Sequence, residues 1–241
     1  MPLVTLTTDF GTGSPYVAAM KAVLLARCPD VAMVDVSHEI PPFDVLQGAF
    51  VLWAGTRHFE PGAVHLAVVD PGVGTSRRPI AVRLGGSWYV APDNGLLGLV
   101  IAETSAPIAA GVELARPAGA SPTFEGRDVF APAAAGLAAG APPESLGSPL
   151  SSSPLGLPAR GSVVLWVDRF GNLVTSLKPP VAGIRVGGRP VTSSARTFGD
   201  APARGPFFYV GSMGFVEVGV RRGRADAVLG AAPGTPVEPL A

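Results

Sequence analysis

The chain has one cysteine, no excess of either charge and no long apolar run, and each shortage closes off a class of function. Cys28 alone makes no intrachain disulfide, no cysteine-based zinc site and no CxxC redox pair, and its apolar helical surroundings assign it to the core. Lys plus Arg equals Asp plus Glu at 18 each, so there is no footprint for nucleic acid or an anionic membrane surface, and small neutral or zwitterionic ligands fit better. No apolar run reaches the length of a membrane span, and the N-terminus enters a strand pattern without a basic or apolar leader. A soluble, cytoplasmic protein is therefore expected. What is abundant is core material: 47% of the 241 residues are hydrophobic and only 15% charged, enough for one or two domains.

The most informative residues present are carboxylates that follow apolar, β-branched runs. Leu3 to Thr8 leads into Asp9, Val31 to Val34 into Asp35, and Val64 to Val69 into Asp70. Ligands of open α/β sheets bind outside the carboxyl ends of the strands, so acids placed there are expected to converge on one crevice. Between these strands, Ser14 to Arg27 and Asp44 to Arg57 read as helices, as do Asn94 to Thr104 and Phe130 to Gly140. Gly85-Gly86-Ser87 is a hairpin turn between two strands. The expected fold is α/β: a mostly parallel sandwich domain over residues 1–146, a Pro-, Ser- and Gly-rich linker over 147–160, and a second domain over 161–241. Its short runs at Val163 to Val167, Leu173 to Leu177, Ile184 to Val186, Phe207 to Val210, Phe215 to Val220 and Ala227 to Leu229 predict a small β-barrel or sandwich.

Each motif admits two readings. Gly11-Thr12-Gly13 imitates a dinucleotide fingerprint, but Tyr16 replaces the third glycine and Asp9 would repel a pyrophosphate. Asp9, Asp35 and Asp70 together could ligate a divalent metal, although His38, His58 and His65 lack helical ligand spacing and His65, inside a strand, reads as structural. The Asp70 to Thr75 turn is a surface loop, or a glycine-rich approach to a ligand in which Arg77 folds back onto Asp70. In Thr123 to Asp128, Asp128 caps the next helix or pairs with Arg127, whereas Glu125 has no such local reason. Asp168-Arg169-Phe170-Gly171-Asn172 is a turn, or an aromatic and amide site for a nucleoside or amino acid, and Ser212 with Gly214 invites the same pair of readings.

Taken together, TTDFGTGSPYVAAMKAVL, VDVSHEIPPFDVLQGAF, VHLAVVDPGVGTSRRPIAV, YVAPDNGLL, TFEGRDVFAPAAA, VDRFGNLVTS and YVGSMGFVEVG resemble the S-adenosyl-L-methionine hydroxide adenosyltransferase family, relatives of fluorinase and chlorinase. The resemblance implies an N-terminal α/β domain, a C-terminal β-barrel and a homotrimer with active sites between subunits. It also implies hydrolysis of S-adenosylmethionine to adenosine and L-methionine by water at ribose C5′, with no cofactor and no metal. Asp70 and Arg77 match two of the family's three water-positioning residues, but the family reads TFHGRD and this chain has Glu125 in place of the His. Glu125 would make the trio negative, raising one carboxyl pKa and suiting it to act as a base. By the same resemblance Asp9 accepts from the ribose hydroxyls and Phe43 stands near the ribose. The resemblance likewise implies that Asp168 and Ser212 hold the amino and carboxylate ends of the methionine part, and that Phe170, Asn172 and Phe198 pack on or hydrogen-bond the adenine. The short turn from Leu84 to Trp88 lacks the fluorinase insertion, and Asp70 replaces that enzyme's Tyr, which argues against a halogenase. Two alternatives stand beside the hydrolase: a binding protein for S-adenosylmethionine or adenosine, impaired at Glu125, and a metal-dependent hydrolase built on Asp9, Asp35 and Asp70.

Overall fold

The computed structural model describes residues 1–159 and 161–240, in two units that divide between Pro158 and Ala159. In the first, β1 (Leu3–Thr8), β2 (Ala32–Ser37), β3 (Val64–Val68), β4 (Pro79–Leu84), β5 (Ser87–Pro92), β6 (Ala110–Leu114) and β7 (Gly147–Pro149) form one sheet in the order β2-β1-β3-β5-β4-β6-β7. Pairing is parallel from β2 to β5 and antiparallel from β5 to β7. The interior strand β1 is buried on both faces, which explains its unbroken apolar and threonine run. Val4 and Leu6 face a core with α1 (Pro15–Arg27) and α4 (Ala131–Ala138), while α2 (Val45–Thr56) packs with α3 (Gly98–Glu103). Ser14 caps α1 ahead of Pro15, as the sequence indicates.

Topology places the site. From β1 the chain goes to β2 on one side, then returns across β1 to β3 on the other. The carboxyl ends of β1 and β3 therefore flank the switch point at which α/β sheets bind ligands. Asp9 and Asp70 stand just beyond those two ends. Asp35 does not. It lies inside β2, an edge strand that runs on to Ser37, and its carboxylate meets Lys21 Nζ at 2.6 Å and His38 Nε2 at 3.0 Å. The expectation that three strand-end acids converge is corrected to two.

The hairpin β4–β5 turns at Gly85 and Gly86, both at positive φ. The helix expected from Asn94 begins only at Gly98, because the Asn94 side chain donates to the Val69 carbonyl and accepts from Leu96 N–H, holding 94–97 as a turn. The segment expected as a linker starts with β7, paired to β6, and continues under Arg78, which bonds Asp93 and the Ser152 hydroxyl while Asp93 accepts from Leu155 N–H. These contacts make residues up to Pro158 part of the first unit.

His65 has the structural role expected of it. It is buried, its Nδ1 is 2.9 Å from the Thr5 hydroxyl, and its ring packs on Tyr89 and Phe59. Burial pulls its pKa down from 6.5 to about 4. The unfolded chain therefore binds a proton between those values that the folded chain refuses, and stability falls as pH drops through that window by roughly 3 kcal/mol from this group. Urea midpoints from pH 7 to 4 should show this loss in the native protein, and a smaller one in His65→Gln.

The second unit contains two antiparallel sheets. One comprises β8 (Val164–Val167), β9 (Leu173–Thr175), β12 (Pro206–Val210) and β13 (Val216–Val220), ordered β12-β13-β9-β8. The other comprises β10 (Ile184–Val186), β11 (Arg189–Val191) and β14 (Val237–Pro239), ordered β11-β10-β14. Val164, Leu173, Val218, Ile184 and Val237 share one core between them. This is a small antiparallel β domain, with the sheets joined by single bridges such as Val163 with Pro236. The run ending at Leu229 is not a strand but α5 (Ala225–Leu229), closed by Gly230 in the left-handed conformation. Among the described residues, no helix is long and apolar enough to cross a membrane.

Candidate active site

Asp9, Phe10, Tyr16, Phe43, Asp70, Val73, Phe124 and Glu125 line a cavity of about 340 Å³ at the switch point, within the size range of small-molecule sites. One wall is aromatic: Phe10, Tyr16 and Phe124 meet edge to face, with Tyr16 and Phe124 centroids 4.9 Å apart. The remaining lining carries carboxylates. Asp9 Oδ2 accepts the Phe43 N–H at 2.9 Å, which holds Phe43 at φ 69°, an uncommon conformation for a bulky residue, with the residue 70% exposed.

Two loops deliver the other acids. After β3, the turn from Asp70 folds Arg77 back onto it: Arg77 Nε donates to Asp70 Oδ1 at 3.1 Å and Nη2 to Oδ2, a bidentate pair. Gly74, at φ 77°, lies against the Pro122 carbonyl, where a Cβ would come within 2.6 Å, so only glycine lets this loop meet the 121–125 segment. That segment ends in a π-turn (Gly126–Phe130) leading into α4, an irregularity common at functional sites. Gly126 packs against Met20 and Phe124, and Glu125, just before it, points inward and is 3% exposed.

Glu125 joins the pair rather than standing alone. Its Oε2 accepts from Arg77 Nη2 at 2.5 Å and its Oε1 from Arg116 Nε at 2.5 Å. Arg77 thus bridges two buried carboxylates with its guanidinium over the Phe130 ring, and its Nη1 is buried without a hydrogen-bond partner among the described residues. Burial, assisted by the charge of Glu125, raises the Asp70 pKa above its ordinary 3.8, and Arg77 only partly offsets this. The expected net negative trio is corrected, because Arg116 makes it a neutral quartet of two acids and two guanidiniums. Arg116 escapes a sequence reading that looks only for acids at strand ends, although it lies two residues past β6 much as Asp70 lies two past β3. Arg127 pairs with Asp128, which also accepts from Ser121 N–H and so shapes the loop that carries Glu125.

Among the described residues, no three His, Cys, Asp or Glu side chains are grouped to hold a metal ion. With Asp35 committed to Lys21 and His38, the donor set of the metal-dependent reading is not assembled.

In the second unit, Asp168 organises its own turn. Oδ1 accepts from the Phe170 and Asn172 N–H groups, each at 2.8 Å, and Oδ2 accepts from the Asn172 amide at 2.8 Å. Phe170 is exposed. Phe198 stands edge-on to Phe207 and Tyr209, and a Cβ on Gly219 would meet its ring at 3.0 Å and Asn172 Oδ1 at 3.1 Å, so Phe198 and Asn172 converge over that glycine. Ser212 lies on the turn between β12 and β13. Two further residues, both within the YVGSMGFVEVG stretch, have no local pattern that marks them: Glu217, buried, accepts from the Tyr209 hydroxyl at 2.7 Å, and burial pushes the pKa of both groups up.

Comparisons with known proteins agree across both units. Residues 4–147 match the SAM hydroxide adenosyltransferase N-terminal domain and residues 162–238 the C-terminal domain. The chain is 46% identical to a Thermus thermophilus protein named (R)-S-adenosyl-L-methionine hydrolase, over 98% of this chain and 99% of that one. It is 32% identical to a fluorinase from an Actinoplanes species, over 73% of this chain and 72% of that one. A crystal structure of a conserved hypothetical protein from Thermus thermophilus superposes with a TM-score of 0.86 at 45% identity and covers the whole of both chains. With both domain models matched in order over most of its length, the chain belongs to the SAM hydroxide adenosyltransferase family.

Proposed function

We propose that the protein is an (R)-S-adenosyl-L-methionine hydrolase that forms adenosine and L-methionine. The observation that carries this is the buried Asp70–Arg77–Glu125 group opening on a cavity that also holds Asp9, in a chain 46% identical to a hydrolase of that name. The name of that relative adds the R configuration at sulfur, which the residues alone leave open.

The chemistry asks little of an acid. Water attacks ribose C5′, the C5′–S bond breaks, its electron pair returns to sulfur, and methionine leaves as a neutral thioether. Catalysis therefore consists of holding a water in line, removing its proton and limiting competing solvent. We assign proton acceptance to Asp70, whose raised pKa suits a base at neutral pH, and orientation to Arg77 and Glu125. Asp9 is the acceptor for the ribose hydroxyls, beside Phe43. Asp168 and Ser212 are assigned to the amino-acid part, and Phe170, Asn172 and Phe198 to the adenine. A homotrimer, in which another copy supplies this second set, is the assembly we expect.

The test is incubation of chelator-treated protein with the R epimer in halide-free buffer, followed by chromatography of the nucleosides, with Glu125→Ala as control. Adenosine and methionine from the native protein alone support the assignment. Ligand-dependent protection of the fold without turnover would replace it with a nucleoside-binding protein, and activity lost to the chelator with a metalloenzyme.

A further inference from the structure

Glu125 is met by cations from two directions. On one side it meets Arg77 and the substrate cavity; on the other, Arg116 and a second cavity of about 240 Å³ lined by Gly74, Thr75, Arg116, Ser121 and Glu125. Arg116 borders this outer cavity and is not among the residues lining the first, so any influence on the reaction passes through Glu125 or Arg77. It makes two bonds: Nε to Glu125 Oε1, and Nη2 to the Arg77 carbonyl at 2.6 Å.

The charges explain why such a residue is needed. A site with Asp, Arg and a neutral His is balanced. Putting Glu in the His position adds a negative charge at a place 3% exposed, next to another buried carboxylate. Burying an unpaired carboxylate is costly, and a lone Arg77 shared between two acids leaves one charge over. Arg116 restores the balance from outside the substrate cavity, and through the Arg77 backbone it holds both members of the Arg77–Glu125 pair at once.

We propose that Arg116 is a positioning residue that the Glu125 charge makes necessary, holding Glu125 charge-paired and oriented against the Asp70–Arg77 pair. The inference rests on the reading of Asp70, Arg77 and Glu125 as the water-activating group. The charged groups facing Asp70 are Arg77 on its own loop and Glu125 at the start of the π-turn, with Asp9 lining the same cavity.

A double-mutant cycle separates this role from that of a strut for the loop. Arg116→Met in the native background should lower kcat by about 10- to 100-fold with KM little changed, and move the acid limb of kcat/KM to higher pH, because a cation has left the cluster. Arg116→Lys should recover part of the rate. In a Glu125→His background, where no extra charge needs balancing, Arg116→Met should change kcat by less than about 3-fold. The same cycle read on urea midpoints keeps the coupling measurable if Glu125→His is inactive. Equal losses in both backgrounds with an unmoved acid limb would reduce Arg116 to a strut and overturn the proposal while native turnover still upholds the hydrolase. A native protein that forms no adenosine would remove both.

Discussion

Asp70→Asn is expected to lower kcat for adenosine formation by a factor of about 10² to 10⁴, the usual contribution of a positioned base. The amide keeps the shape and one acceptor but cannot take the water's proton. Binding should survive, since Asp9 and the aromatic wall of Phe10, Tyr16 and Phe124 are untouched, so KM should change little. Stability should hold as well, because burial already disfavours the charged form of Asp70 in the folded state and Arg77 keeps Glu125 as its partner. The pH profile is the sharper readout. Burial raises the Asp70 pKa, so native kcat/KM should rise with pH through a limb above the ordinary 3.8, and that limb should vanish in the variant. An unchanged limb in Asp70→Asn would assign the base elsewhere.

Arg77→Met is expected to be the most destabilising single change in the site, by about 3–5 kcal/mol, the range for removing one partner of a buried ion pair. Asp70 would lose both bonds of its bidentate pair, and Glu125 would keep only Arg116. For a protein of this size the loss corresponds to a fall in Tm of roughly 10 °C. Its pH dependence has a definite sign. Without Arg77, Asp70 in the folded state binds a proton more readily than in the unfolded chain, so stability is lost as pH rises and regained as pH falls. The His65 loss is common to both proteins, so the gap in Tm between native protein and variant should be wide at pH 7 and narrower at pH 5. A gap equal at both pH values would assign the loss to packing against Phe130 instead.

How far such residues are legible in advance depends on how locally their reasons are written. Asp9 and Asp70 are legible because β1 and β3 are interior parallel strands, whose burial on both faces fills them with apolar residues, threonines and a buried histidine up to the acid. Asp35 misleads for the opposite reason: β2 is an edge strand with exposed positions, so a charged residue in its middle looks like its end. Glu125 is visible as a residue without a local role, but its second partner comes from beyond β6, on a strand aligned with neighbours by long-range pairing. The Gly147–Pro149 strand shows no periodicity, since a short edge strand with proline needs none. In the second unit the short runs announce β structure. Their division into two sheets follows from pairings such as β10 with β14, which no local pattern encodes.

The division after Pro158 has a bearing on how this chain could be altered over time or by hand. Asp9, Asp70, Arg77, Arg116 and Glu125 all belong to the first unit, whereas Asp168, Asn172, Phe198 and Ser212 belong to the second, and each unit has its own core. On the assignment made above, what attacks and what departs are written in different units. A lineage exchanging water for another nucleophile would edit the first, and one accepting a different departing group would edit the second, each with the other half left as it was.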